Sequence, residues 1–278
     1  MQASEFNALL IKKFPFKPTA SQTLWMNEMT EFIFYAESNT VFVLKGYAGT
    51  GKSTSIGHLV RFLPKIDKRS VLMAPTGRAA KVMSGYAGKK AFTIHKQIYY
   101  TKSEGGSGMQ FTLKPNKFKN TLFVVDEASM IGDDRQNTKL FENGSLLGDL
   151  MQYVDAGTNC KLLLVGDPAQ LPPVHLNLSP ALDGDYLLHE FNKEVVECIL
   201  EEVVRQKLNS GILANATHLR SFLEESTGTD FQFDISVGSD VERMIEGNAI
   251  LEALEESIQK EGLEETVFIV RSNKRANL

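Results

Sequence analysis

Short apolar runs that alternate with helix-like stretches are the main pattern along the first two thirds of this chain. Runs rich in Val, Leu, Phe or Met occupy residues 40–44, 70–74, 121–125 and 161–165, and another apolar segment covers residues 195–200. Their length and composition are typical of strands buried on both faces of a parallel sheet. Helices are predicted between them over residues 52–63, where Pro64 limits the helix, and near residues 78–84. The alternation predicts an α/β fold in which helices flank a parallel sheet.

Residues 98–114 break this pattern. Two β-prone runs, IYYT and MQFTLK, flank the Gly-rich segment SEGGSG. This arrangement is typical of a β-hairpin that is inserted in the chain and projects from the sheet, and a disordered loop is an equally good interpretation. The long polar stretch over residues 131–150 predicts a mixture of loop and helix.

The last third of the chain carries different signals. Residues 226–239 are rich in Gly, Ser, Thr and Asp and are interpreted as a connection. Residues 265–272, ETVFIVRS, predict a fresh buried strand. Because a domain is not expected to begin at its last strand, we expect the protein to continue into a further domain. Residues 242–260 predict an amphipathic helix whose apolar face carries Leu251, Leu254 and Ile258.

Charge is unevenly distributed along the chain. The 278 residues have a formal net charge of −4. Residues 61–119 nevertheless contain thirteen Lys or Arg and two acids, a local charge of about +11, whereas residues 240–265 carry about −7. An ordinary solvated face is one explanation for such runs. A stretch this basic within an acidic protein favours a polyanionic partner.

Composition excludes some other classes of protein. Hydrophobic residues make up 42% of the chain, so a sizeable core can form without a disulfide or a structural metal. Cys160 and Cys198 are far apart and lack metal-ligand spacing, and we expect them to be reduced in a cytoplasmic protein. No apolar run is long enough to cross a bilayer, so no membrane partner is expected.

A phosphate-binding loop is the strongest chemical signal in the sequence. Residues 46–53, GYAGTGKS, fit the pattern G-x-x-x-x-G-K-[ST] between a predicted strand and a predicted helix. Glycines let backbone N–H groups converge on phosphate oxygens, and the helix N-terminus favours an anion. Lys52 is predicted to reach the β- and γ-phosphates, and Ser53 to ligate Mg²⁺. The predicted nucleotide-binding residues of this loop are Gly46, Ala48, Gly49, Thr50, Gly51, Lys52, Ser53 and Thr54.

Polar residues after later strands extend the predicted site. Asp126 and Glu127 follow the strand at 121–125; Asp126 is predicted to hold Mg²⁺ through water, and Glu127 to orient the attacking water. Gln170, in GDPAQLPP, either senses the γ-phosphate at the carboxyl edge of the sheet or belongs to a proline-stiffened turn. Arg205 is a candidate for neutralising γ-phosphate charge, with a surface salt bridge as the alternative.

In this order, the segments resemble superfamily 1 helicases of the 5′-to-3′ branch, and within it the RecD-like and phage Dda-like DNA helicases. The motifs are GYAGTGKS, APTGRAAKVMS, FTIHK, VVDEASM, LLLVGDPAQLPPV and EEVVRQ, which fall between about residue 19 and residue 206. The resemblance implies a RecA-like P-loop NTPase fold with ATP as the nucleotide. It also implies that Gln22, close to Thr19 in PTASQ, reads adenine, that Gln170 is the coupling glutamine, and that Arg205 contacts the γ-phosphate.

The same resemblance implies single-stranded DNA as a partner, with RNA as an alternative. Two motifs of the family grip the strand, and a hairpin between them and the DEAS segment separates the strands. Residues 98–114 occupy that interval, and aromatic side chains there are expected to stack on bases. His95 is equally well explained as a core histidine. The implied DNA-binding residues are Pro75, Thr76, Arg78, Thr93, His95, Lys96, Tyr99 and Tyr100, with Phe111 as a further stacking residue.

The resulting hypothesis is an ATP-driven 5′→3′ DNA helicase motor. The alternatives are an ATPase that moves on nucleic acid without separating strands, and a nucleotide-gated DNA-binding module. Residues 1–210 are assigned to a first RecA-like domain, 211–264 to a connecting helical segment, and 265–278 to the start of a second RecA-like domain that this chain lacks. Because ATP lies between two such domains in the family, we expect the chain to bind nucleotide weakly and to unwind little or no DNA. We also expect it to be a monomer.

Overall fold

A computed structural model of the chain describes residues 1–100, 111–133, 141, 144–173, 176, 178–203, 210–225 and 231–270. The chain divides into two compact units, Met1–Arg205 and Gln206–Leu278, which are described separately.

Eight strands lie in the described part of the first unit. In chain order they are β1 (Thr40–Gly46), β2 (Arg69–Ala74), β3 (Ala91–Thr93), β4 (Tyr99–Tyr100), β5 (Thr112–Leu113), β6 (Thr121–Val125), β7 (Lys161–Gly166) and β8 (Glu194–Leu200). Six of them form one sheet in the order β3-β2-β6-β7-β1-β8, and every neighbouring pair is parallel. The predicted α/β class with a parallel sheet is therefore confirmed.

Helices connect the parallel strands, as crossover connections require. In chain order the helices are α1 (Ala3–Lys13), α2 (Ala20–Tyr35), α3 (Lys52–Phe62), α4 (Gly77–Ala87), α5 (Ile94–Ile98), α6 (Leu146–Asp155), α7 (Gly184–Phe191), α8 (Gly211–Glu225) and α9 (Gly247–Glu261). The predicted helix at 52–63 ends one residue early as α3, and a short 3₁₀ turn that contains Pro64 continues the chain. None of the described helices is long and apolar enough to span a membrane.

Two hydrophobic cores lie on opposite faces of the sheet. Successive residues of a strand point to opposite faces, so each central strand contributes to both cores. Phe42 and Leu44 of β1 pack in the core formed with α1 to α4, whereas Val41 and Val43 pack in the core formed with α5 to α7. The central strands β1, β6 and β7 are buried almost throughout, which explains why they read as continuous apolar runs.

The inserted hairpin is present in its described part. β4 and β5 pair antiparallel, with Tyr99 opposite Leu113 and Tyr100 opposite Thr112. Residues 101–110, which include the Gly-rich segment, lie outside the described residues. Within the polar stretch 131–150, helix α6 begins at Leu146, where the Ser145 hydroxyl accepts a hydrogen bond from the Gly148 N–H and caps the helix.

The second unit contains α8 and α9. Asn215 of α8 donates side-chain hydrogen bonds to the Gly211 carbonyl at 2.8 Å and to the Asp234 carbonyl at 2.7 Å. The prediction of a buried strand at 265–272 is wrong over its described part, residues 265–270. No strand is assigned there, and Phe268 and Ile269 are exposed, because no described strand of this unit pairs with the segment. Leu251, predicted on the apolar face of α9, is also exposed.

Candidate nucleotide site

The phosphate-binding loop joins β1 to α3. Gly49 and Gly51 have φ angles of 84° and 92°, a left-handed conformation that favours glycine. Gly46 has no such φ, but a Cβ there would lie 2.8 Å from Thr50 Oγ1. The glycines of the sequence motif are therefore required by backbone conformation or by close packing. The loop places Lys52 and Ser53 in the first turn of α3.

The Lys52 ammonium is held inside this loop. Its Nζ donates to the Gly46 carbonyl and, at 3.0 Å, to the Tyr47 carbonyl. It also lies 3.8 Å from Asp167 Oδ2, and Asp167 is buried at the end of β7. Asp167 was not among the predicted site residues, although it precedes Gln170 in the same GDPAQ segment. Its carboxylate adds negative charge next to the lysine that is predicted to meet phosphate.

Asp126 and Glu127 follow β6 at the carboxyl edge of the sheet. The Glu127 N–H donates to Asp126 Oδ1 at 3.0 Å, and the Tyr86 hydroxyl donates to Asp126 Oδ2 at 2.7 Å. Glu127 has a φ of 55°, so the chain turns sharply between the two carboxylates. Burial, and next the charge of Asp126, raise the pKa of Glu127 above its usual range. A glutamate with a raised pKa accepts a proton from water more readily.

Gln170 contacts two residues of the DEAS segment. Its Oε1 accepts a hydrogen bond from the Ser129 hydroxyl at 3.0 Å. Its side chain also forms a hydrogen bond with Glu127, which opposes the rise in the Glu127 pKa. The amide thus joins the loop after β7 to the carboxylate after β6. This contact was not expected from the sequence, in which the two residues are more than forty positions apart.

Gln22 lies in the first turn of α2 with its side chain 2% exposed. Its Oε1 accepts from the Thr19 N–H at 3.1 Å, and its Nε2 donates to the Thr50 carbonyl at 3.1 Å. The first bond belongs to a capping box at the start of α2, and the second ties this helix to the phosphate-binding loop. Adenine recognition by Gln22 stays a prediction.

The segment after β8 is tied to the same helix start. Glu202 accepts hydrogen bonds from the Thr19 hydroxyl at 2.9 Å, from the Ser21 N–H at 3.2 Å, and from the Ser21 hydroxyl. The Ser21 hydroxyl, followed by that of Thr19, lowers the pKa of Glu202 to about 2. Glu202 belongs to the EEVVRQ motif that also contains Arg205. Residue 205 lies outside the described residues, so its predicted role stays a prediction.

One cavity of about 590 Å³ brings these elements together. Its polar end includes Lys52, Ser53, Asp126, Glu127 and Gln170, and Asp167 also lines it. Three aromatic side chains that the sequence analysis did not single out also line the cavity, which therefore offers both a charged and an apolar surface to a ligand. They are Phe14, Phe16 and Tyr47; further lining residues from the predicted set are Gln22, Ala48, Gly49, Gly51 and Thr54.

The polar end has the donor set of a magnesium–triphosphate site. Mg²⁺ takes oxygen ligands, commonly one or two carboxylates completed by waters and substrate phosphates. The Ser53 hydroxyl and the Asp126 carboxylate supply such oxygens within one cavity. Among the described residues, no group of three or more His, Cys, Asp or Glu could hold a metal ion. The Ser53 hydroxyl and the Asp126 carboxylate fit a magnesium ion whose other ligands are waters and triphosphate oxygens.

The predicted DNA-binding residues fall on two neighbouring strand ends. Thr76 follows β2 and caps α4 by accepting from the Ala79 N–H at 3.2 Å, and Arg78 is exposed in the first turn. Thr93 ends β3 and caps α5 through the Lys96 N–H, also at 3.2 Å. Lys96 is exposed, with its Nζ 5.9 Å from the centre of the Phe92 ring. Pro75 is half-buried directly before Thr76.

Tyr99 and Phe111, which are expected to stack on bases, pack against each other in this structure, and base stacking by them stays a prediction. Tyr99 is 3% exposed, and its hydroxyl donates to buried Asp149 at 2.6 Å. Phe111 packs against Tyr99 and against His95, with ring centroids 4.9 and 5.1 Å apart. These aromatic side chains fill the base of the hairpin instead of projecting from it. Tyr100 is 46% exposed and is the described aromatic residue of the hairpin that can face a ligand.

His95 belongs to the same aromatic group, and burial lowers its pKa below the usual histidine value. Its ring lies 5.7 Å from that of Tyr99 and 6.2 Å from that of Phe141. The packing supports the interpretation of His95 as a core histidine, which the sequence analysis had kept as an alternative.

Comparisons with known proteins identify relatives that are similar to this part of the chain. A family model described as an AAA domain matches residues 30–176, which is more than half of the chain. The ATP-dependent RecD2 DNA helicase of Deinococcus radiodurans is 35% identical over 137 residues, covering 49% of this chain and 16% of that protein. The ATP-dependent DNA helicase dda of Enterobacteria phage T4 is 29% identical over 181 residues, covering 64% of this chain and 37% of that protein.

A crystal structure of Pif1 helicase from Candida albicans aligns over 77% of this chain and 49% of its own, with 21% identity and a TM-score of 0.44. The chain spans 16% and 37% of the length of the two relatives above. The match over residues 30–176 contains the phosphate-binding loop, the DEAS segment and Gln170. The chain therefore belongs to the AAA domain family.

Proposed function

We propose that this chain is the ATP-binding half of a DNA helicase motor that moves 5′→3′ on single-stranded DNA. The observation that carries the proposal is the single cavity lined by Lys52, Ser53, Asp126, Glu127 and Gln170. These residues come from the ends of β1, β6 and β7, which are neighbours in the sheet. Ligand sites of open α/β sheets form at this carboxyl edge.

Each of these residues has a distinct role in the proposed reaction. Lys52 exchanges its bonds to the loop carbonyls for bonds to the β- and γ-phosphates. Ser53 and Asp126 would hold Mg²⁺, which would supply positive charge to neutralise the phosphates. Glu127 orients the attacking water and accepts its proton, helped by its raised pKa. Gln170 contacts Glu127 and Ser129, so a change at the γ-phosphate reaches both segments.

The proposed DNA contacts lie at the ends of β2 and β3. Thr76 and Arg78, together with Thr93 and Lys96, present hydroxyls and positive charges from two adjacent strand ends. The basic stretch over residues 61–119 includes all four. Phosphate contacts of this kind bind without regard to base sequence and weaken steeply with salt. Tyr100 supplies a stacking surface at the hairpin.

The direction of movement, the location and the oligomeric state are each proposed from a single kind of observation. The direction of movement rests on the resemblance to the 5′-to-3′ branch. A cytoplasmic location is supported by Cys160 and Cys198, which are free and buried. We also propose that the chain acts as a monomer with a second motor domain, which supplies the opposite wall of the ATP cleft.

Nucleotide binding by the 278-residue chain tests the proposal. A fluorescent ATP analogue with Mg²⁺ is expected to bind the chain, and Lys52→Ala is expected to weaken binding at least tenfold, because the substitution removes the ammonium that meets phosphate. Lys12→Ala, an exposed lysine in the last turn of α1, is the matched control and should bind like the parent. Equal affinity in the Lys52 and Lys12 variants would contradict the assignment of the site.

A further inference from the structure

Tyr86 contacts the predicted magnesium carboxylate although no sequence motif pointed to it. It lies in the last turn of α4, forty residues before Asp126. Its hydroxyl donates to Asp126 Oδ2 at 2.7 Å, while Asp126 Oδ1 accepts the Glu127 N–H at 3.0 Å. Each carboxylate oxygen is thus fixed by one donor and keeps a lone pair for a further ligand.

The hydrogen bond has a defined direction. A tyrosine phenol carries its proton at neutral pH, and the Tyr86 hydroxyl lies 2.7 Å from Asp126 Oδ2. An ionised carboxylate only accepts hydrogen bonds, so the phenol is the donor and Asp126 the acceptor. Bonds in which the acceptor is charged are stronger than neutral ones.

Close helix packing holds Tyr86 in place. The backbone of Tyr86 lies against Gly57 of α3, where a Cβ would be 2.8 Å from the Tyr86 carbonyl oxygen. Helix α3 begins at Lys52, so the helix that starts at the phosphate-binding loop also sets the position of Tyr86. The contact lets α4 approach α3 closely enough for the phenol to reach Asp126.

We propose that Tyr86 is a positioning residue that holds the Asp126 carboxylate in the orientation required to bind Mg²⁺ together with a nucleotide. The inference rests on the function proposed above and adds a residue to the same site. Residues that orient a metal ligand commonly change metal affinity by about 10- to 100-fold when they are replaced. Because the Tyr86 hydroxyl bonds to the carboxylate that is proposed to hold Mg²⁺, its effect should depend on Mg²⁺ and not on the nucleotide alone.

The test compares Tyr86→Phe with the unaltered 278-residue chain. Binding of a fluorescent ATP analogue is titrated with Mg²⁺, and the measurement is repeated in EDTA. The Mg²⁺ concentration for half-maximal enhancement of binding should rise about tenfold in Tyr86→Phe. Binding in EDTA and the melting temperature should stay close to those of the unaltered chain. Tyr186→Phe is the matched control, because its hydroxyl donates to Asp133 and neither residue lines the nucleotide cavity.

The outcomes separate this inference from the proposed function. If the unaltered chain binds no nucleotide with or without Mg²⁺, the proposed function fails and the inference fails with it. If the unaltered chain shows Mg²⁺-dependent binding and the Tyr86→Phe titration coincides with it, only the role of Tyr86 is overturned. A loss of affinity that is equal in Mg²⁺ and EDTA would also overturn it, since a structural defect of the fold would act on both. Where the variant melts early, titration below its melting temperature decides between these results.

Discussion

At the scale of single residues, Glu202 shows how a distant contact supports the nucleotide site. Its carboxylate accepts three hydrogen bonds from Thr19 and Ser21 at the start of α2. The next residue, Gln22, bonds to the Thr50 carbonyl of the phosphate-binding loop. The segment that follows β8 is therefore linked to the loop through one helix end.

This arrangement predicts a pH-dependent contribution to stability. The pKa of Glu202 is about 2 in the folded chain, below the ordinary value of 4.5 expected when it is unfolded. The stabilising contribution is therefore complete above the unfolded pKa and is lost as pH falls towards the folded pKa. Urea unfolding should show Glu202→Gln to be less stable than the parent at neutral pH, with the difference narrowing from about pH 5 downwards.

Glu201→Gln serves as the control for this prediction, because Glu201 is an exposed neighbour whose side chain forms no bond to Thr19 or Ser21 in the described structure. A gap between parent and Glu202→Gln that stays constant from neutral pH to about pH 3 would show that the ionised carboxylate is not the source of the stability.

Whether a residue of the site could be predicted depended on how far along the sequence its partner lies. Lys52, Ser53 and Asp126 could be identified because each occupies a fixed position in a short motif beside a strand end. Tyr86 and Glu202 could not, since their partners lie 40 and about 180 positions away and no local pattern marks such pairs. A polar side chain in a helix or loop can bond to water or to many other groups. Only the three-dimensional fold determines which partner lies within reach.

At the scale of elements, the hairpin places its two adjacent tyrosines in different environments. Tyr99 and Tyr100 are adjacent, and their side chains leave the strand on opposite faces, as β geometry requires. Tyr99 therefore enters the core of α5 to α7, while Tyr100 is exposed. A run of two tyrosines does not reveal which one faces inward, because the register depends on the packing of the whole hairpin.

We predict that the two tyrosines separate stability from DNA binding. Tyr99→Phe removes the hydrogen bond to buried Asp149 and should lower the free energy of unfolding by about 1–3 kcal/mol. Tyr100→Ala should change stability by about 0.5 kcal/mol or less, and should weaken single-stranded DNA binding by about 1–3 kcal/mol. Chemical denaturation and fluorescence anisotropy with an oligonucleotide measure the two effects. A loss of DNA affinity in Tyr99→Phe without a loss of stability would contradict this prediction.

Strands were predicted correctly where burial on both faces makes their sequences continuously apolar. β1, β6 and β7 are buried on both faces, so their sequences are apolar at every position but a few. β3 has three residues, too few to be separated from the helix signals on either side. The apolar run at 265–270 has the composition of a strand, but strand formation needs a partner, and the described residues of its unit provide none.

At the scale of the whole molecule, both cores and the nucleotide cavity belong to the first unit. The cavity is lined by residues no later than Gln170, and both cores end at or before Leu200. A chain ending at Arg205 should therefore unfold cooperatively and bind nucleotide within about twofold of the full chain. Calorimetry and the same fluorescent nucleotide test this expectation. Loss of both properties would show that residues 206–278 are needed for the first unit to fold.

The order of the strands also determines which strands lie at the edges of the sheet and could pair with other molecules. One edge strand is β3, which is only three residues long. The other is β8, which carries Glu194 and Glu197 among its apolar residues. A short strand and charged side chains at the edge both oppose strand addition by a neighbouring chain. The most apolar strands, which would favour amyloid-like stacking if uncovered, lie at the centre of the sheet. Aggregation through this sheet should therefore require unfolding of the first unit, and should begin when heating releases the central strands.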